Sequence, residues 1–204
     1  MILEQGERWK VGCADGLEVM RKMKDRSIPS IITSPPEAEK DVPREFLAQV
    51  ILECLRVSSG PVVWVGPAYA DGRYPHEFDE AIEPHQIYHW AVTNYRAEFY
   101  GVQPIYCWRV GYKRPFKHGL VFGPVGDETK ITGHPGAMPF IFAAQIVRAF
   151  GGLIVFDPFM GTGIMGVAAL VEGKKFLGID IDERWVTYAR GALQSAEREG
   201  AVCA

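Results

Sequence analysis

The sequence predicts a single α/β domain built on a mostly parallel sheet, and three observations carry that prediction. Short apolar segments alternate with helical segments at both ends of the 204-residue chain, the pattern of strands joined by crossover helices. One apolar run, 153–157, opens into a glycine-rich turn and a helix, and the next run closes on an acid, Asp180. A third run, 28–33, stops abruptly at Ser34-Pro35-Pro36. The length suits one domain whose core needs neither metal nor disulfide.

The elements follow in order. Trp9 to Gly12 forms a short strand, and Asp15-Gly16 opens a helix with Leu17, Met20 and Met23 on one side. Ile28 to Thr33 is a buried strand. Pro43 to Val57 places Phe46, Leu47, Val50, Ile51, Cys54 and Leu55 on one helical face, and Pro61 to Gly66 is a second core strand. From about 67 to 133 the texture changes. Gly and Pro interrupt it, and aromatics crowd it: Tyr88, Trp90, Tyr95, Phe99, Tyr100, Tyr106, Trp108, Tyr112 and Phe116. Tyr100 to Val110 holds a strand that Pro104 breaks or confines to an edge. Regular alternation then resumes. A helix from Pro139 to Phe150 is closed by Gly151-Gly152, and a strand from Leu153 to Asp157 follows. A helix from Gly161 to Glu172, a strand from Lys175 to Asp180 and a helix from Arg184 to Arg198 complete the chain. Residues 1–204 therefore read as one domain, with 67–133 a compact excursion from it.

Composition narrows the class. A chain 48% hydrophobic and 23% charged is neither collagen-like nor disordered. It has no apolar run near the length of a membrane span, and its first residues lack the charged and apolar regions of a secretory leader. A cytoplasmic protein without membrane contact is expected. Cys13, Cys54, Cys107 and Cys203 are scattered, so neither a disulfide framework nor a zinc site is indicated, and Cys13 and Cys54 read as buried thiols. His85 and His89 have helical spacing but no third ligand, so no metal is expected. The net charge of −3 speaks against a general coat for nucleic acid. Locally the balance reverses, because 84–120 sets Arg96, Arg109, Lys113, Arg114 and Lys117 against Glu98 alone.

The glycine turn reads Asp157-Pro158-Phe159-Met160-Gly161-Thr162-Gly163-Ile164-Met165-Gly166. Without Cβ atoms, Gly161 and Gly163 let a ligand lie against the backbone at a helix N-terminus. Asp180, ending the next strand, can accept from both hydroxyls of a ribose. A tight strand–helix turn with no ligand would use the same glycines, and a nicotinamide dinucleotide would satisfy the same spacing. Two details lean away from the dinucleotide: too little chain follows for the rest of its domain, and Asp157 would repel a pyrophosphate. An acid there suits a ligand with an ammonium group and no phosphate, as in S-adenosylmethionine.

In the Ser-Pro-Pro loop, two prolines stiffen the strand exit and remove backbone donors, so the loop presents acceptors. An exocyclic amine of adenine or cytosine is a weak nucleophile, because its lone pair is delocalised into the ring. Acceptors on its hydrogens, such as Ser34 Oγ and the Pro35 carbonyl, draw the nitrogen toward sp³ and aim the lone pair at an electrophilic methyl. Positioning and electrostatics then suffice without a metal.

Thr33-Ser34-Pro35-Pro36 together with Asp157-Pro158-Phe159-Met160-Gly161-Thr162-Gly163 resembles the DNA amino-methyltransferases that make N4-methylcytosine or N6-methyladenine. The order, amine loop first and cofactor turn last, resembles their permuted β-class. The resemblance covers roughly 9–66 and 131–198. It implies a Rossmann-like, S-adenosylmethionine-dependent methyltransferase fold with circularly permuted motifs. It makes Ser34, Pro35, Pro36 and Glu37 the catalytic loop. Around the cofactor it implies Asp15 near the adenine, from the Gly12–Leu17 element, and His134 in the segment closing over the methionine end. It adds Thr33, Asp157, Pro158, Phe159, Gly161, Thr162 and Gly163 at the turn, and Asp180 and Ile181 at the ribose. One position departs from the family, which places an aromatic, usually Tyr, after the two prolines; here it is Glu37. Loss of a stacking ring weakens grip on an extruded base by ~1–3 kcal/mol. Three readings stay open: Tyr69 or Tyr74 substitutes, Glu37 accepts from the base's amine, or the chain is an inactive nucleic-acid-binding relative.

The acceptor follows from the middle segment. Its aromatic and basic stretch suits base stacking and phosphate contact, with Arg109, Lys113, Arg114 and Lys117 as the contacts; an ordinary half-buried β-region reads the same way. DNA is the expected partner and cytosine N4 the preferred target, since Ser-Pro-Pro accompanies cytosine more often in this family. The short segment also leaves a free nucleotide or single strand as acceptor. Monomer and homodimer fit equally.

Overall fold

A computed structural model describes residues 3–36, 43–66, 84–93, 99–111, 120–124, 132–134 and 137–202. Nine strands form one sheet: β1 (Leu3–Gln5), β2 (Trp9–Cys13), β3 (Ser30–Thr33), β4 (Val62–Val65), β5 (Gln86–Thr93), β6 (Phe99–Trp108), β7 (Leu120–Pro124), β8 (Ile154–Asp157) and β9 (Lys175–Asp180). The helices described are α1 (Gly16–Arg21), α2 (Arg44–Val57), α3 (Phe140–Phe150), α4 (Ile164–Val171) and α5 (Glu183–Val202). The spatial order is β1-β2-β9-β8-β3-β4-β6-β5-β7. Only β1 and β6 run against the others, so the expected mostly parallel α/β sheet is present. All five central strands end at one edge.

Strands buried on both faces explain the near-continuous apolar runs. Ile31, Val62 and Trp64 turn to one side, where Leu17 and Met20 of α1 and Leu47, Val50, Ile51 and Cys54 of α2 pack on them. Their neighbours Ile32, Val63 and Val65 turn to the other, against Phe142 and Ile146 of α3, Met165 and Ala168 of α4, and Ala189 and Leu193 of α5. Glu197 fastens β2 to α5 by accepting from the Arg8 amide at 2.8 Å and from Trp9 Nε1 at 3.1 Å.

Two expectations about the middle need correction. Pro104 neither breaks β6 nor lies at an edge: the strand runs through it with β4 and β5 on either side. The Pro104 carbonyl accepts the Gly66 amide at 2.9 Å. The return bond needs an N–H that proline lacks, and Gln103 Nε2 donates to the Gly66 carbonyl in its place. The second correction concerns the rings. Tyr88, Trp90, Tyr106 and Trp108 are at most 5% exposed; Trp90 stacks on Phe142 with centroids 4.1 Å apart, and Tyr88 meets Phe150. These four hold β5 and β6 to the body of the sheet and offer no surface to a base. Tyr69, Tyr74, Tyr95, Tyr112 and Phe116 lie outside the described residues.

Candidate functional site

Parallel strands bring their carboxyl ends together. Cys13 pairs with Asp180, Asp157 with Gly178, and Thr33 with Trp64. The loops after β2, β9, β8 and β3 therefore share one edge, the ordinary place for a ligand in an open α/β sheet.

Asp157 lies at the centre and is 3% exposed. Its Oδ1 accepts from Thr33 Oγ1 at 2.7 Å and from the Phe159 amide at 3.0 Å. Among the described residues no Lys or Arg pairs with it. Burial pushes its carboxyl up to about 7, against the pull of those two donors, and Asp180 adds repulsion. A buried acid with so perturbed a titration, at the ligand edge of the sheet, marks a candidate functional site.

The glycines of the turn divide into separate tasks. Gly161, at φ +48°, has its amide on Asp180 Oδ2 at 2.8 Å, and a Cβ there would lie 2.9 Å from His134 Nε2. Gly163, at φ +76°, would press on Ala189 of α5, and Gly166 on Phe176 and Leu193. Only the first faces the edge; the others let α4 approach its neighbours. Asp180 Oδ1 also accepts the Asp182 amide at 2.9 Å, so one carboxylate braces the turns after β8 and β9.

His134 packs edge-on against Trp185, with centroids 4.5 Å apart. Burial lowers its affinity for a proton, opposed by Asp180 and Asp182. Ile181 follows Asp180 and is 73% exposed, an apolar side chain presented beside a carboxylate. Asp15 caps α1, its Oδ1 accepting from the Leu17 amide at 2.8 Å and the Glu18 amide at 3.1 Å. Gly16 comes so close to the Pro158 carbonyl that a Cβ would stand 2.2 Å from it, which ties the β2 and β8 loops together. Pro158, Thr162 and Gly163 are buried in the turn, and Phe159 meets Phe46 of α2 edge-on at 6.3 Å.

In the Ser-Pro-Pro loop, Ser34 Oγ donates to the Val65 carbonyl at 3.2 Å. Its proton is thereby committed to the sheet, and its remaining lone pairs are free to accept. Ser34, Pro35 and Pro36 are half-buried.

The structure thus brings together Asp15, Thr33, Ser34, Pro35, Pro36, His134, Asp157, Pro158, Phe159, Gly161, Thr162, Gly163, Asp180 and Ile181. It does not bring Arg109 to this edge: β6 runs antiparallel to β4, so Arg109 falls at the amino edge of the sheet. There its guanidinium donates to the Ser58 carbonyl and its amide to His85 Nδ1. Glu37, Lys113, Arg114 and Lys117 lie outside the described residues. Cys54 is buried as expected, whereas Cys13 is half-exposed and donates to the Ile181 carbonyl at 3.4 Å. Sequence reasoning missed Trp185; the signal was an aromatic four residues beyond the exposed Ile181 on the helix after the acid.

Comparison with known proteins adds the following. A family model described as DNA methylase, of the N6/N4 type, matches residues 63–191, which include the glycine turn and Asp180 but not Ser34-Pro35-Pro36. The chain is 30% identical over 97 residues to the DNA adenine methyltransferase YhdJ of Escherichia coli (strain K12), covering 43% of this chain and 33% of that protein. It spans between a quarter and a third of the curated relatives it matches. Among solved structures, the cytosine-N4-specific PvuII DNA methyltransferase superposes with a TM-score of 0.71 at 13% identity, covering 96% of this chain and 93% of that one. The M1.HpyAVI complex with S-adenosylmethionine superposes at 0.63 with 20% identity, covering 90% and 98%. These likenesses agree with the Rossmann-like methyltransferase fold.

Proposed function

We propose, from the premise that this chain belongs to the N6/N4-type DNA methylase family, that it transfers a methyl group from S-adenosylmethionine to an exocyclic amine of a base in DNA, with cytosine N4 the preferred target. The observation that carries the reading is the orientation of Ser34: its proton rests on the Val65 carbonyl, so its oxygen is an acceptor, beside an edge furnished with two carboxylates.

The residues suit the donor's parts. Asp157 is a buried acid without a cationic partner among the described residues and receives an ammonium group. Asp180, at the end of β9, receives ribose hydroxyls while bracing Gly161. Ile181 and the Asp15 loop flank the adenine, and His134 covers the turn at Gly161. When bound, the donor supplies a methyl on a sulfonium, already a strong electrophile. Ser34 Oγ and the Pro35 carbonyl hold the amine hydrogens, localise the nitrogen lone pair and fix its direction. As the nitrogen–methyl bond forms, the sulfur–methyl bond breaks to leave a neutral thioether, and the methylated nitrogen gives one proton to water, leaving a neutral base. Positioning of this kind lowers the barrier without an added acid or metal.

The test is incubation with labelled S-adenosylmethionine and, separately, duplex DNA, single-stranded DNA, dCMP and dAMP, followed by nucleoside mass analysis. Label in N4-methylcytosine from DNA is the expected result. Label in N6-methyladenine would overturn the base, and label only in a mononucleotide would overturn DNA as acceptor. Glu37 gives a second reading its observation, since the family's aromatic is missing there. If cofactor binds, no label appears anywhere, and Glu37→Tyr restores methylation, the chain is an inactive relative.

A further inference from the structure

We propose that Thr33 is a positioning residue of the donor site: its hydroxyl turns the Asp157 carboxylate toward the donor's ammonium, and its main chain runs directly into the amine loop. The inference rests on the reading above that Asp157 receives that ammonium.

Thr33 is fully buried in β3, following Ile31 and Ile32. A third β-branched hydrocarbon would fit this strand, so the hydroxyl requires a reason, and its partner is Asp157 Oδ1 at 2.7 Å. The Phe159 amide falls on the same oxygen at 3.0 Å. Both donors fall on Oδ1, which leaves Oδ2 without a hydrogen bond among the described residues and open to a ligand. Thr33 is followed at once by Ser34, so one residue joins the acid of the donor side to the acceptor of the amine side.

Among the described residues, the other ionisable groups acting on Asp157 or acted on by it are Cys54 on α2 and Asp180 on β9. Neither supplies positive charge. The Thr33 hydroxyl therefore bears directly on whether Asp157 is ionised, as burial already holds it near 7. Removing one hydrogen bond to the ionised form moves the midpoint further up. The ionised fraction then falls more at pH 6, below the midpoint, than at pH 8.

The experiment is calorimetric titration of S-adenosylhomocysteine into the wild type, Thr33→Val and Thr33→Ser at both pH values, with 5′-methylthioadenosine as an ammonium-free control. The expected result is a Thr33→Val to wild-type ratio of dissociation constants of several-fold at pH 6 that contracts toward one at pH 8. Thr33→Ser should restore the wild-type value, and the control should show a ratio near one throughout. Because a ratio is read, the ligand's own titration cancels. The same ratio at both pH values, or an equal loss for the control, overturns the proposal as a structural effect. If Thr33→Val does not fold, Asp157→Asn takes its place: a wild-type pH slope in that variant overturns the proposal. Wild type that binds neither ligand overturns the cofactor reading instead.

Discussion

Replacing Gly163 with Ala tests the division of labour in the turn. Gly163 stands before α4 at φ +76°, and left-handed backbone carrying a Cβ is disfavoured by ~1–2 kcal/mol. The new Cβ would lie 2.7 Å from Ala189 Cβ and 3.2 Å from its Cα. Those atoms move only with α5 itself, so the helix must withdraw by more than half an ångström, and overpacking of this kind costs ~1–3 kcal/mol. Together the loss is ~2–5 kcal/mol. Urea unfolding of Gly163→Ala, Ala189→Gly and the double variant separates the parts. Ala189→Gly alone costs ~1 kcal/mol in helix propensity, plus its methyl's burial. In the double variant the steric part disappears, so its loss should fall short of the summed singles by ~1–3 kcal/mol. Strict additivity would refute the packing argument. So would a Gly163→Ala protein of wild-type stability whose cofactor affinity has collapsed, because the glycine would then serve the ligand.

Other expectations follow from the same geometry. Ser34→Ala should lower turnover roughly tenfold to a hundredfold with cofactor affinity nearly unchanged, read by steady-state kinetics beside calorimetry; equal loss of both would contradict the acceptor role. Asp180→Ala should weaken cofactor binding by ~1–3 kcal/mol and loosen the turn, since the Gly161 and Asp182 amides lose their acceptor. Asp157 gives opposite pH trends. Its folded-state midpoint, about 7, lies above its ordinary value of 3.8, so between those pH values the folded state keeps a proton the unfolded chain has lost. Its contribution to stability therefore falls as pH rises through that window, while cofactor affinity rises from pH 6 to 8. Asp157→Asn should flatten both trends in thermal melts and calorimetry.

The parallel half of the fold was legible because strands buried on both faces leave apolar runs bounded by Gly, Pro and acids, as at β3, β8 and β9. The same punctuation located the edge where Ser34, Asp157 and Asp180 meet. Strands β5 and β7 were not anticipated. In β5 the outward Ile87 is apolar, so polar and apolar positions do not alternate, and β7 ends in Gly-Pro, which reads as a turn. Pro104 misled for a tertiary reason, since the replacement donor on Gln103 is visible only once β4 lies alongside. Arg109 was assigned by charge alone; which end of β6 it occupies depends on strand direction, which composition does not encode. Asp15 caps α1 in the loop after β2, a purpose that the resemblance did not carry.

The half-buried ring beside His134 has an optical consequence. Of the five tryptophans, Trp9, Trp64, Trp90 and Trp108 are at most 5% exposed, whereas Trp185 is half-buried and packs on His134. The red side of the emission band therefore belongs to one fluorophore. It stands 4.5 Å from an imidazole that quenches when charged. That imidazole lies over Gly161, so a ligand reaching this glycine should be readable in a cuvette, without a label, as a change in the colour of the light from Trp185.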